Sequence, residues 1–282
     1  MEQYRNGELV FDVIDRGPAD GPVVILLHGF PQTNASWAPV MDRLVAAGYR
    51  CVAPNLRGYS PGARPKGRRH YRASLLAGDV VALIDALGVD TVHLVGHDWG
   101  ALVAWAVGAE APQRLASLTA VSVPHPAAFL SAVLTSRQAL ASTYMGVFQL
   151  PVLPERYLLG KNRDGAPLAA ALVSAGQSRA AAERDAASMT EPGRLTAALN
   201  YYRALPLTDP RAARSPITAP TLYIWSEDDV ALKEKGARLC GRYVDGPYRY
   251  ERMPGSHWLP DECPDTIADL LIDWFGSHPV SR

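Results

Sequence analysis

The sequence predicts an α/β fold in which a mostly parallel, twisted sheet is flanked by helices. Three observations support this prediction. Short apolar runs typical of buried strands alternate with segments whose apolar residues recur at helical spacing. One such run, at residues 91–97, leads directly into a helix. Strand-like runs disappear between about residues 125 and 215 and then return. Alternating strands and helices indicate a sheet that is covered on both faces.

The first half of the chain supplies five of these elements. LVFDVI (9–14) is typical of an early strand, and PVVILLHG (22–29) of a fully buried strand that ends at a glycine turn. YRCVAPN (49–55) predicts a further apolar strand. Residues 72–88 carry apolar side chains at helical spacing and end in a glycine, which predicts a helix. TVHLVGH (91–97) predicts a short strand, and the next helix begins near Asp98.

The later elements follow the same pattern. Strands are predicted at LASLTAVSVP (115–124), APTLYIWS (219–226) and YRYERMPG (248–255). PDTIADLLIDWFGSH (264–278) predicts an amphipathic closing helix.

The middle of the chain has a different composition. It contains Ala-rich helical patterns such as PLAAALVSAGQSRAAAERDAASM, interrupted by QLPVLPE and TEPGR. We therefore expect a helical cap at residues 125–214, inserted into a core formed by residues 1–124 and 215–282.

Composition excludes several classes of function. Lys plus Arg equals Asp plus Glu at 28 each, so the balance gives no reason to expect nucleic acid or an anionic membrane as partner. The polar N-terminus lacks a signal peptide, and no apolar run reaches the length of a membrane span, so we expect a cytoplasmic protein. The three cysteines form no metal-binding spacing, and we expect inert thiols, no metal and no cofactor.

The pentapeptide GHDWG (96–100) is typical of a nucleophile elbow, the tight strand-to-helix turn that presents a nucleophile above the sheet of an α/β-hydrolase fold. Gly96 and Gly100 leave room for the turn, and Asp98 stands at the position of the nucleophile. An aspartate is also a good helix N-cap, but a cap requires no glycine on either side.

The other members of a catalytic triad occur in the order expected for this architecture, nucleophile, acid and then histidine. His257 lies in PGSHW, in a loop after the last predicted strand. Asp228 and Asp229 compete for the role of the acid in WSEDD. We favour Asp229 from its offset within this turn, and Asp228 stays open.

An aspartate nucleophile predicts displacement at a saturated carbon. A serine attacking such a carbon would form an ether, which water could not release, whereas Asp98 would form an ester. The carboxylate is already ionised at neutral pH, so His257, oriented by Asp229, is free to activate water for ester hydrolysis. The backbone N–H groups of Phe30 and Trp99 are expected to stabilise the oxyanion of that second step.

Several segments together resemble the epoxide hydrolase branch of the α/β-hydrolase superfamily. They are HGFP (28–31), RGYSPG (57–62), GHDWGA (96–101), NYYR (200–203) and GSHW (255–258). The resemblance implies a cap inserted after the sixth strand and a cis peptide between Phe30 and Pro31. It also implies a substrate pocket lined by His28, Phe30, Pro31 and Trp99.

The same resemblance assigns two cap tyrosines to the polarisation of the epoxide oxygen. YMGVFQLP (144–151) is similar to a family segment that carries this role on Tyr144. LNYYRA (199–204) is similar to another and places the role on Tyr202, not on Tyr201. A neutral phenol can donate to that oxygen at pH 7.

These observations predict an epoxide hydrolase that converts a small apolar epoxide and water to a vicinal diol through a covalent ester on Asp98. A haloalkane dehalogenase or another hydrolase with an aspartate nucleophile is the first alternative. Dehalogenases often have Asn where this chain has Phe30, and fluoroacetate-type enzymes have Arg where it has Trp99. A non-catalytic small-ligand binder is the second alternative, and monomer and homodimer both stay open.

Overall fold

A computed structural model describes residues 1–209 and 211–280. Its centre is an eight-stranded sheet with the order β1-β2-β4-β3-β5-β6-β7-β8. The strands are β1 (Gln3–Asn6), β2 (Leu9–Arg16), β3 (Val23–Leu27), β4 (Arg50–Pro54), β5 (Val92–His97), β6 (Leu115–Val121), β7 (Thr221–Ser226) and β8 (Tyr248–Met253). β2 pairs antiparallel with β1 and β4, and every other neighbouring pair is parallel. The mostly parallel sheet is therefore confirmed.

The helices lie on both faces of this sheet and in the connection between β6 and β7. They are α1 (Ala38–Ala46), α2 (Ala73–Leu87), α3 (Trp99–Glu110), α4 (Pro126–Thr135), α5 (Gln138–Ala141), α6 (Thr143–Phe148), α7 (Leu153–Leu159), α8 (Ala166–Ser174), α9 (Arg179–Ser188), α10 (Arg194–Ala204), α11 (Glu234–Leu239), α12 (Leu259–Glu262) and α13 (Pro264–Ser277).

The central strands are buried on both faces because helices cover each side. All five residues of β3 are buried, and they alternate between two apolar clusters. The first cluster contains Leu83 of α2 and Trp105 of α3, and the second contains Leu44 of α1 and Phe275 of α13. The absence of polar alternation in these strands follows from this double coverage.

The segment between β6 and β7 contains helices α4 to α10. In its described residues no strand occurs. The division at residues 124/125 and 214/215 into core and cap stays a prediction.

Four elements outside the connection between β6 and β7 were not predicted, namely β1, α1, α11 and α12. β1 is four residues long with only Tyr4 buried, so it lacks the alternation that identifies a strand. α1 follows Trp37 without a capping side chain and begins with Ala38 and Pro39. Within the described ranges, no helix is both long and apolar enough to cross a membrane.

Candidate active site

The elbow holds Asp98 between β5 and α3 in a backbone conformation that aspartate rarely adopts. Its φ is 52° and its ψ is −119°. A Cβ atom at Gly100 would overlap the carbonyl oxygen of Leu27, and one at Gly96 would overlap the carbonyl of Gly100. Because only glycine fits at these two positions, the turn is tight enough to project the Asp98 side chain away from the sheet.

The carboxylate of Asp98 has two polar neighbours. Its Oδ1 accepts a hydrogen bond from the Phe30 backbone N–H at 2.7 Å, and its Oδ2 lies 3.5 Å from Nε2 of His257. Burial raises the pKa of Asp98, but the hydrogen bond and charge of His257 outweigh burial and hold this pKa below its usual range. Asp98 is therefore ionised at neutral pH.

The loop after β3 approaches Asp98 closely. The Phe30–Pro31 peptide is cis, as the resemblance implied. A Cβ atom at Gly29 would overlap the side chain of Asp98, so glycine is required at the point of closest approach. Trp99 is the first residue of α3, where a helix leaves its backbone N–H groups without an intrahelical acceptor. The Phe30 N–H thus belongs to the loop after β3, which contacts the Asp98 side chain, and the Trp99 N–H belongs to the first turn of α3, directly after Asp98.

His257 is fixed by Asp229. Nδ1 of His257 lies 2.8 Å from Oδ2 of Asp229, whose Oδ1 accepts hydrogen bonds from the backbone N–H groups of Ala231 and Leu232, each at 2.8 Å. Asp229 is buried and Asp228 is exposed. Of the two candidate acids, Asp229 is the one that contacts the histidine.

The two carboxylates change the charge state of His257. Burial lowers the pKa of His257, but Asp229 and then Asp98 outweigh burial and raise this pKa to about 10. The resting site at pH 7 therefore contains an imidazolium between two carboxylates. Loss of the negative charge on Asp98 would lower the pKa of His257, because one of its two anionic neighbours would disappear.

Two buried residues that were not predicted, His97 and Ser122, hold the loop of His257. Nε2 of His97 donates to the carbonyl oxygen of His257 at 2.8 Å, and the hydroxyl of Ser122 donates to the same oxygen at 3.1 Å. Nδ1 of His97 lies 3.0 Å from Oε1 of Gln32, whose amide donates to Asp261 at 2.8 Å. His97 was visible in the sequence only as the residue before the nucleophile.

Four buried histidines stay neutral at pH 7 because burial lowers the pKa of each well below 6.5. These four buried neutral histidines are His28, His93, His97 and His125, with pKa values of about 4, 3, 4 and 4. His257 differs from them because it alone of the five contacts two carboxylates.

Tyr202 of α10 lies in the segment between β6 and β7 and lines the same cavity as Asp98. Its ring packs edge-on against those of Trp99 and Phe30, with centroids 4.7 and 5.7 Å away. Its backbone carbonyl accepts a hydrogen bond from the side-chain amide of Gln149 at 2.7 Å. The adjacent Tyr201 instead donates its hydroxyl to the carbonyl of Arg57 at 2.7 Å and packs into the core. Tyr202, and not Tyr201, therefore reaches the site.

Tyr144 of α6 lies beside Tyr202, with ring centroids 6.0 Å apart. Burial, and then the charge of Asp98, raise the pKa of Tyr144. Burial likewise raises the pKa of Tyr202, with smaller contributions from Tyr144 and Asp98. Both phenols therefore stay protonated and can donate hydrogen bonds.

These side chains line one cavity of about 740 Å³. Six of the candidate residues contribute to its wall, namely Phe30, Asp98, Trp99, Tyr144, Tyr202 and His257. Most of the remaining wall is apolar, including Leu102, Phe148 and Leu172.

Two residues expected in the substrate pocket do not line the cavity. His28 is fully buried, with Nδ1 3.0 Å from the carbonyl of Gly29 and Nε2 accepting from the Leu56 N–H at 3.0 Å. Pro31 is also buried. The expectation that these two residues line the pocket is corrected, because neither contributes to the cavity wall.

The described part of the chain contains no group of three or more His, Cys, Asp or Glu side chains arranged to hold a metal ion. Asp98 and His257 line the cavity together with Arg72, Glu110, His125 and Asp209, and Asp229 contacts His257 without lining the cavity. The arrangement offers an ionised carboxylate at Asp98, a histidine whose charge depends on that carboxylate, and two neutral phenols, all lining one mostly apolar cavity.

Residues 22–263 match the family described as alpha/beta hydrolase fold. The chain belongs to the α/β-hydrolase family. It is 34% identical to the AB hydrolase superfamily protein YfhM of Bacillus subtilis (strain 168), over 96% of each chain. It is 33% identical to epoxide hydrolase 3 of Xenopus tropicalis, over 96% of this chain and 76% of that protein.

Solved structures of epoxide hydrolases share this α/β-hydrolase architecture. The crystal structure of Bacillus megaterium epoxide hydrolase in complex with an inhibitor superimposes with a TM-score of 0.84 at 26% identity, covering 97% of this chain and 100% of that chain. This α/β hydrolase is therefore a hydrolytic enzyme similar to epoxide hydrolases.

Proposed function

We propose that this α/β hydrolase converts an apolar epoxide to a vicinal diol through a covalent ester on Asp98. One observation carries the proposal: an aspartate at the elbow and two neutral tyrosines line the same apolar cavity. An epoxide requires a nucleophile at its carbon and a hydrogen-bond donor at its oxygen. Asp98 supplies the first, and Tyr144 and Tyr202 supply the second.

In the first step, a carboxylate oxygen of Asp98 attacks a ring carbon and the bond from that carbon to the ring oxygen breaks. The tyrosine hydroxyls donate to the departing oxygen, so that the alkoxide is protonated as it forms. The resulting ester has no charge on Asp98. The pKa of His257 falls in consequence, and the proton that His257 releases balances the proton that the new hydroxyl gains.

In the second step, neutral His257 takes a proton from water, and the hydroxide attacks the carbonyl carbon of the ester. The N–H groups of Phe30 and Trp99 stabilise the oxyanion that forms. Collapse breaks the acyl–oxygen bond and releases the second hydroxyl of the diol, which takes the proton from His257. The remaining proton of the water returns to His257 as the Asp98 carboxylate re-forms, so the cycle consumes one epoxide and one water.

A single-turnover reaction in oxygen-18 water tests this route. Enzyme in molar excess over styrene oxide should give a first diol without the label, and the label should appear in the peptide that contains Asp98. Direct attack of water on the epoxide would place the label in the diol at once and would refute the covalent route. A parallel incubation with 1-bromobutane tests the alternative, because bromide release without diol formation from styrene oxide would identify a dehalogenase.

A further inference from the structure

Exposed apolar side chains are concentrated in one segment of the chain, which runs from α4 to α7. The described residues include eleven large hydrophobic side chains classed as exposed, and eight of them lie between residues 130 and 157. We call these eight the cap apolar patch, which comprises Leu130, Leu134, Leu140, Val147, Leu150, Val152, Leu153 and Tyr157. Single exposed leucines are ordinary on a protein surface, but clustering of this kind marks an interaction site.

The helices of this patch are held in place by internal contacts. Leu134 and Tyr157 lie one turn beyond Leu130 and Leu153 on the faces of α4 and α7, and they are 75% and 73% exposed. The Arg203 guanidinium donates to the carbonyls of Phe148 and Leu150, at 3.0 and 2.7 Å, and fastens the α6–α7 connection to α10. The apolar side chains are therefore presented on an anchored surface.

The α6–α7 connection also contains a residue in an unusual backbone conformation. Val152 has a φ of 69°, which a β-branched residue rarely adopts, and its side chain is 52% exposed. Strain of this kind persists only where the surrounding structure enforces it and is common at functional surfaces.

Unpaired positive charges accompany the patch. The segment 126–163 contains four basic residues, Arg137, Arg156, Lys161 and Arg163, all of them exposed. None of the four forms a salt bridge with any residue that the structure describes. Of the nearby acidic residues, Glu155 pairs with Arg203 at 2.8 Å, and the exposed Asp164 directly follows Arg163.

The zero net charge of the chain predicted no anionic membrane as partner, but net charge does not describe this local distribution. A surface of exposed apolar side chains bordered by unpaired cations is complementary to an anionic lipid surface. A second copy of the chain fits it less well. In a twofold contact each copy would bring the same four unpaired cations into the interface.

The cavity opens beside the patch. Leu130 and Val230 both line the cavity and are 45% and 52% exposed, so its mouth lies where α4 carries the first residue of the patch. An apolar ligand held in a bilayer would thus meet the mouth directly when the patch lies on the membrane. We infer that the cap apolar patch and its four cations form a docking surface for an anionic phospholipid membrane.

Co-sedimentation with vesicles tests this docking surface. Vesicles of phosphatidylcholine with one quarter phosphatidylglycerol should bind the protein at about 0.1 M salt, and vesicles of phosphatidylcholine alone should bind it much less. The variant R137Q/R156Q should lower the partition coefficient about 25-fold, since each cation near an anionic surface contributes about fivefold, or about 1 kcal/mol. The variant L134S/L140S/Y157S removes apolar contact and should reduce binding by a similar amount.

The variant R68Q/R69Q is the matched control. It removes the same charge from two exposed arginines that have no exposed large hydrophobic neighbours in sequence, and it should change binding less than twofold. None of the altered residues lines the cavity, and unchanged thermal melting would show that each variant is folded.

Absence of binding to the anionic vesicles, or an equal loss in R68Q/R69Q, would overturn the inference. So would a dimer in sedimentation equilibrium that L134S/L140S/Y157S dissociates, because the patch would then be an interface between copies.

Discussion

Asp229→Asn removes the charge that contributes most to the raised pKa of His257. The native carboxylate faces three N–H groups, with Oδ2 toward Nδ1 of His257 and Oδ1 toward the N–H groups of Ala231 and Leu232. An asparagine has one acceptor oxygen where the aspartate has two. If the NH₂ group points at the backbone, it meets N–H groups that are donors themselves. If it points at Nδ1 of His257 instead, it forces the neutral imidazole to carry its proton on Nε2.

The size of the effect follows from the pKa of His257. A pKa of about 10 in place of the ordinary 6.5 corresponds to about 5 kcal/mol in favour of the imidazolium. Asp229 and Asp98 share this stabilisation, and Asp229 contributes the larger part. Once Asp98 is esterified, Asp229 is the only carboxylate left in contact with His257. In the variant, His257 would then lose both its charge partner and its orientation, and we expect ester hydrolysis to slow about 1,000-fold.

Rapid-quench kinetics with styrene oxide separates the two steps. Ester formation should slow far less than hydrolysis, so the ester should accumulate and intact-protein mass spectrometry should detect it. Asp228→Asn, one residue away on an exposed side chain, should keep both rates within twofold and serves as the control. Equal slowing of the two steps in Asp229→Asn, or full activity of that variant together with loss of activity in Asp228→Asn, would refute the assigned role.

Three further predictions concern ring opening, the elbow and acid stability. Tyr202→Phe should slow ring opening about 100-fold in a rapid-quench assay and leave ester hydrolysis nearly unchanged, whereas Tyr201→Phe loses only a bond to a backbone carbonyl and should keep both rates. Equal effects of the two variants would contradict this. Gly100→Ala should lower the free energy of unfolding in urea by at least about 2 kcal/mol, because its Cβ would overlap the carbonyl of Leu27. Gly78→Ala, in open space on a helix, should be neutral or stabilising by up to about 1 kcal/mol. The four buried neutral histidines have folded-state pKa values of about 3 to 4, below the ordinary 6.5. Between about pH 4 and pH 6.5 the unfolded chain therefore binds more protons than the folded chain does. Their contribution to stability is complete above pH 6.5 and is lost as the pH falls toward 4. The free energy of unfolding in urea should be at least about 2 kcal/mol lower at pH 5 than at pH 7, and no difference would be evidence against neutral burial.

The parts of the site that were predictable are those encoded by local backbone geometry. The elbow requires glycine at positions 96 and 100 because atoms a few residues away, or on the adjacent strand, occupy the space of a Cβ. Such a requirement leaves a short signature in the sequence. The order of strands and helices was predictable because double burial leaves β3 entirely apolar and leaves β5 apolar except for two histidines and a glycine.

Contacts between distant segments were not predictable from periodicity. His97 and Ser122 bond to the carbonyl of His257 from 160 and 135 residues away in the chain, and nothing in the local sequence specifies these contacts. His28 shares a motif with Phe30, but its side chain points to the opposite side of the loop and is bonded to backbone. The cap apolar patch was missed for a different reason. Apolar residues at helical spacing indicate a buried face, and for Leu134 and Tyr157 that face is exposed.

The measurement that tests the central claim most directly is intact-protein mass spectrometry of His257→Gln incubated with styrene oxide. Without the base that activates water, the protein should stall as an ester that carries the mass of one whole epoxide, and digestion should map this mass to the peptide that contains Asp98. Asp98→Ala/His257→Gln, which has no side-chain oxygen at position 98 to attack the epoxide, should show no adduct. Absence of the adduct in His257→Gln under conditions where the wild-type enzyme forms diol, or an adduct that persists in the double variant, would contradict nucleophilic attack by Asp98.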